Sequence, residues 1–125
     1  MGTDYLIDTN VIIDFSEGRL SASARDFLSE IIDKQPCISV ITKLELLGFS
    51  AVSQPIIDFV EEATVIGLTN EIIAQTINLR KKHKIKLPDA IIAATALVEG
   101  ATILSHNTRD FQNIKSLECI DSHAL

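Results

Sequence analysis

An α/β fold, a parallel sheet with helices on both faces, is what this 125-residue sequence predicts. Short apolar runs at 4–7, 37–40, 64–68, 102–105 and 117–120 read as strands. They are separated by segments, mostly helical, of about ten residues or more, long enough for right-handed crossovers between parallel strands. A hydrophobic content of 46% and a mean hydropathy of +0.26 supply a well-filled core, mainly Ile, Leu, Val and Ala. The length suits one domain, 1–125, able to bury about two-thirds of its unfolded surface without disulfide or metal.

The elements follow in order. The run at 4–7 ends at Asp8, and Val11 and Phe15 stand one helical turn apart, so a helix begins there with Thr9 or Asn10 as its cap. Ser21 or Ser23 opens a second helix, in which Ala24, Phe27, Leu28, Ile31 and Ile32 recur at helical spacing until Pro36. After the strand at 37–40 a helix runs from about Thr42 to Phe49 or Val52, and Pro55 starts another that ends near Glu62. Thr69 or Asn70 caps a helix reaching about His83, with Ile72, Ile73, Thr76, Ile77 and Leu79 inward. Pro88 begins the next, and Gly100 ends it after Glu99.

Composition excludes several classes. No apolar run reaches the ~18 residues of a membrane span, and the N-terminus has neither a signal pattern nor, with Leu6 in sixth place, a myristoylation pattern. Cys37 and Cys119 are lone cysteines in apolar runs, read as reduced buried thiols of a cytoplasmic protein. Net charge is −6, yet five of the 11 basic residues fall within 80–86 (RKKHKIK). That stripe either grips phosphates or solvates a helix end, where cations complement the dipole.

Four carboxylates stand where chemistry would want them. Asp8 closes a strand, Asp89 opens an almost wholly apolar helix, and Asp110 lies just beyond another strand. Glu45 shares the helical stripe of Ile41, Phe49 and Val52, where burial would cost several kcal/mol unless it were paired or metal-bound. Each has a bland alternative: cap neighbour for Asp8, stripe edge for Glu45, dipole partner for Asp89, and capping box with Asn107 for Asp110. In parallel sheets, ligands gather beyond the carboxyl ends of the strands. Gathered there, four acids suit Mg²⁺ or Mn²⁺, and metal-assisted attack on a phosphodiester is the first reaction to consider.

Other chemistries fit less well. Asp14 and Asp58 read as solvated charges on polar faces, and His83, His106 and His123 show no metal-ligand spacing. A calcium loop starting at Asp8 fails at Ile12 and Ile13, and neither cysteine has a credible base. An aspartyl-phosphate phosphatase would need a second Asp where Asn10 stands.

The motifs LIDTNVIIDF, ITKLELL, LPDAIIAATAL and ILSHNTRDF, in this order across essentially the whole chain, resemble PIN domains, and most closely the VapC-type toxins of toxin–antitoxin pairs. The resemblance implies a three-layer α/β/α sandwich with a parallel sheet of about four or five strands. It implies an Mg²⁺- or Mn²⁺-dependent endoribonuclease that dimerises and is inhibited by a cognate antitoxin whose tail occupies the crevice. By motif, Asp8, Glu45 and Asp89 match the family's first three acids, Asp110 the acid before Phe, and Thr9 the hydroxyl residue after the first acid. Asp8 and Asp89 are then the foremost metal ligands. Ser105-His106-Asn107 departs from the more common Thr-x-Asp or Thr-x-Asn, which leaves the fourth place to Asp110, to Asn107 through water, or to neither. Arg80, Lys84 and Lys86, with Thr9 and Asn107, are the candidate RNA contacts. A housekeeping RNA-processing nuclease and a catalytically weak RNA- or partner-binding module are the alternatives.

Overall fold

The computed structural model describes residues 5–125. Expectations for Met1, Gly2 and Asp4 lie outside them. The order is β1 (Tyr5–Ile7), α1 (Thr9–Ser16), α2 (Ala22–Lys34), β2 (Cys37–Ser39), α3 (Val40–Leu47), α4 (Gln54–Glu62), β3 (Thr64–Ile66), α5 (Asn70–Lys82), α6 (Leu87–Glu99), β4 (Thr102–Ser105) and β5 (Cys119–Asp121). Single 3-10 turns occupy Thr108–Asp110 and Ser122–Ala124. The architecture is the expected α/β fold with parallel strands.

β4 pairs with β1 on one side (Leu6 opposite Ile103) and with β5 on the other (Leu104 opposite Ile120). β2 pairs with β3 (Ile38 opposite Val65) and also lies against β1. Strand alternation divides the core into two layers. Leu6 and Ile103 face a cluster with Ile72 and Leu79 of α5 and Ile92, Ala93 and Ala96 of α6. Ile7 and Leu104 face the opposite cluster, with Val11, Leu28, Ile31, Leu46 and Val60 from α1 to α4. The small Ala93 and Ala96, wholly buried, let α5 approach α6 closely.

Several elements depart from the sequence expectation. The cap of α1 is Asp8, whose Oδ1 accepts from Thr9 N at 2.8 Å, while Thr9 and Asn10 both lie inside the helix. Helix α3 starts at Val40, with Ser39 as its cap, and ends at Leu47. Its buried residues are Thr42 and Leu46, so Glu45 is exposed and Phe49 is 50% exposed. The stripe argument for Glu45 therefore fails: α3 ends before Phe49 and Val52, and it packs its Thr42–Leu46 face inward. On α5, Ile73 (42%) and Ile77 (52%) point outward rather than into the core. Ser21, Thr69 and Gly100 do cap α2, α5 and α6 as expected; Gly100, at φ 67°, takes the left-handed conformation that favours glycine.

Candidate active site

Because the strands are parallel, their carboxyl ends share one edge. Asp8 follows β1 there, α3 carries Glu45 away from β2, and Ser105-His106-Asn107 leaves β4. Helix α6 precedes β4 and so begins at the same edge, which brings Asp89 of its first turn toward the other three acids.

Asp8 is 5% exposed and its carboxylate is held from three sides. Besides the Thr9 amide, Oδ2 accepts from Ser105 Oγ at 2.7 Å and from Asn10 Nδ2 at 3.2 Å. Burial nevertheless raises its pKa, opposed by these hydrogen bonds and reinforced by the charge of Glu45. Thr9 Oγ1 donates to Glu45 Oε1 at 2.6 Å and lies 3.2 Å from Thr42 Oγ1, which ties α1 to α3. Asp89 is half-buried, and its carboxyl is pushed up to about 6, first by burial and then by the charges of Asp110, Asp8 and Glu45, with Lys86 opposing. The other three predicted acids thus all lie within electrostatic reach of Asp89. Among the described residues, none of the four has a cationic side chain within ion-pair distance.

The capping-box reading of Asp110 does not hold. Asn107 makes no side-chain cap bond, and the turn closes through Asp110 N donating to Asn107 O at 3.2 Å. The Asp110 carboxylate is left exposed beside Asp89 in a polar cleft of about 340 Å³, also lined by Lys84, Lys86, Arg109 and Asn113. Asn107 is exposed, its amide N donating to Ser105 Oγ at 2.9 Å. Arg80 lies on the last turn of α5 and is not among the residues that line this cleft, whereas Arg109 is.

Two features escaped the sequence reading. Ser105 and Asn10 orient Asp8; the signal was present in Ser105 closing the apolar run of the fourth motif. Asp14, read as a solvated charge, is 6% exposed, with Oδ2 2.7 Å from His106 Nδ1 and Oδ1 3.3 Å from Arg19 Nε. Its partner lies 92 residues away, so no local spacing could reveal it. The thiols are free: Cys37 is buried, and Cys119 is half-buried with its pKa raised to about 11, chiefly by burial.

Four carboxylates without a cationic partner cannot all ionise cheaply, and oxygen donors suit Mg²⁺ or Mn²⁺ better than softer ions.

A parallel α/β sheet with acids collected at its carboxyl edge defines the class, and the chain belongs to the PIN domain family, whose profile matches residues 5–117. Among solved structures, it is similar to a chain of a toxin–antitoxin complex from Klebsiella pneumoniae at 29% identity and TM-score 0.77, covering 95% of this chain and 98% of that one. VapBC-1 from nontypeable Haemophilus influenzae is similar at 26% identity and TM-score 0.76, covering 96% and 98%. VapBC2 from Rickettsia felis, bound to a DNA fragment from its promoter, shares the fold at 22% identity and TM-score 0.78, covering 95% and 98%. No curated protein matches the chain.

Proposed function

We propose that this protein is a divalent-metal-dependent endoribonuclease, the toxin of a toxin–antitoxin pair. The observation that carries the nuclease reading is Asp89. Its carboxyl is raised to about 6 by burial and three neighbouring acids, beside a cleft that presents Lys84, Lys86 and Arg109. Acids alone would repel RNA; acids that share a cleft with cations suit a phosphodiester held by a metal and basic side chains together.

Asp8 and Asp89 would hold the Mg²⁺ or Mn²⁺, with Glu45 and Asp110 completing the set. A bound divalent ion supplies charge neutralisation at the phosphoryl oxygens and acidifies an attacking water. Ser105 and Asn10 keep Asp8 in one rotamer, and Thr9 does the same for Glu45. Lys84, Lys86 and Arg109 contact flanking phosphates and so set affinity more than rate. The deciding experiment compares cleavage of cellular RNA with and without Mg²⁺ or Mn²⁺, beside Asp8→Asn. Equal cleavage by the variant, or none by wild type with metal, refutes the reading.

The antitoxin reading rests on the similarity to toxin–antitoxin complexes together with an apolar groove of about 250 Å³. Ile12, Phe15, Leu28, Ile32 and Phe59 line it, with Asp58 and Glu62, so its occupant is an amphipathic segment carrying basic residues. A homodimer would cover the outward Ile73 and Ile77 of α5 and Leu44 and Leu47 of α3. Among the described residues no helix is long and apolar enough to cross a membrane. With two free thiols the proposed setting is the cytoplasm.

A further inference from the structure

Three donors outside the carboxylate cluster converge from distant parts of the chain. Asp14 lies on α1, His106 just past β4, and His123 in the turn Ser122–Ala124 that follows β5. Asp14 Oδ2 lies 2.7 Å from His106 Nδ1 and 3.6 Å from His123 Nε2, and the three donor atoms all fall within 4.8 Å of one another. The imidazoles lie beside each other, ring centroids 4.8 Å apart and planes tilted by 34°.

We propose that Asp14, His106 and His123 form a second cation site that takes a borderline transition metal, Zn²⁺ being the probe. Bonds of about 2.0–2.2 Å at tetrahedral angles put donors about 3.3 Å apart, and the spacings present bracket that value. Two imidazole nitrogens and one carboxylate oxygen favour Zn²⁺ over Mg²⁺, in contrast to the all-oxygen set at the sheet edge.

The donors are held to different degrees. Asp14 is nine-tenths buried and anchored by Arg19 through its other oxygen. His106 has its backbone amide fixed by Asn10 Oδ1 at 3.2 Å, and the His123 amide donates to Asp121 Oδ1 at 2.9 Å. The His123 side chain is 58% exposed and free to close on an ion. Asp14 stands six residues beyond Asp8, about 9 Å along the helix axis, too far for the two sites to share an ion. A metal here clips the C-terminal segment to α1 and to the exit of β4, the strand end that carries Ser105.

The test is a Zn²⁺ titration of the chelator-stripped full-length protein against a chromogenic chelator, with Co²⁺ absorption as a second readout. Wild type, His106→Gln, His123→Gln and Asp89→Asn are compared. The expected result is one equivalent with tetrahedral-type Co²⁺ bands, over and above any ion held by the carboxylates at the sheet edge. Both His variants should weaken it by a factor on the order of ten or more, while Asp89→Asn retains it. At a hundredfold excess over Kd, Zn²⁺ should raise the melting temperature on the order of 10 °C in wild type and little in His123→Gln. His123 is largely exposed, so its variant should fold, which far-ultraviolet circular dichroism checks. A wild-type protein that binds no Zn²⁺ overturns the proposal and leaves a hydrogen-bonded Asp–His pair. So does an equivalent lost in Asp89→Asn but unchanged in His123→Gln.

Discussion

Replacing Asp89 with Asn should stabilise the metal-free protein at neutral pH. The Asp89 pKa rises from 3.8 to about 6 on folding, and this rise of about 2.2 units corresponds to about 3 kcal/mol at 1.36 kcal/mol per unit. The carboxyl is only half-buried, so solvent screening brings this down to roughly 1.5 kcal/mol. Asn also gives up a favourable interaction with the α6 dipole of about 0.3–1 kcal/mol, leaving a net gain of about 1 kcal/mol, or roughly 3–5 °C in melting temperature. The sign follows from linkage. A carboxyl with a raised folded pKa contributes fully below its unfolded pKa near 4, and that contribution is lost as pH rises through about 6. Thermal unfolding in chelator from pH 4 to 8 should therefore show wild type falling relative to Asp89→Asn between pH 4 and 6, with the gap constant above. Saturating Mg²⁺ should narrow or reverse the gap by stabilising wild type preferentially. An Asn variant that melts no higher at pH 7, with a pH profile parallel to wild type, would refute the account of mutually repelling acids.

Other expectations follow from the same geometry. Asp8→Asn should abolish metal-dependent RNA cleavage while preserving the fold, since Asn still caps α1; retained turnover in a gel assay would remove Asp8 from the site. Glu45→Gln should inactivate, yet Glu45→Leu should cost no more than about 1 kcal/mol in denaturant melts, because position 45 is not a gap in a buried stripe and loses only a solvent-exposed hydrogen bond from Thr9. Replacing Lys84, Lys86 and Arg109 with Gln in an Asp8→Asn background should flatten the salt dependence of RNA binding by roughly one logarithmic unit per lost contact, whereas Arg80→Gln should leave the slope unchanged. Phe59→Asp, which puts a charge in the apolar groove, should weaken antitoxin binding on the order of a hundredfold in calorimetry and spare RNA cleavage.

The periodicity of the chain was enough for the α/β class, the crossovers and most caps. Those features depend on neighbours a few residues apart: Ser21 with Ala24, Thr69 with Ile72, Gly100 after Ala96. The nearness of Asp8, Glu45 and Asp110 to Asp89 was legible too, because a parallel sheet sends its strand ends to one edge whatever the details of packing. Where the sequence reading failed, it lacked the rotation of each helix about its own axis. On α3 the face packed inward is that of Thr42 and Leu46, which leaves Glu45 outward. The same holds on α5, where Ile73 and Ile77 fit the helical count equally well but point away from the sheet.

What the sequence determined by itself was the set of local propensities and the order of the motifs. These define the class of fold and the edge where the acids collect. Tertiary structure alone decided which side chain orients which. Ser105 reaches Asp8 across 97 residues, Thr9 reaches Glu45 across 36, and Asp14 is buried against His106 across 92. Spacing along the chain carries no trace of such contacts, because their geometry depends on strand register and helix rotation, set by how the two apolar layers close on the sheet.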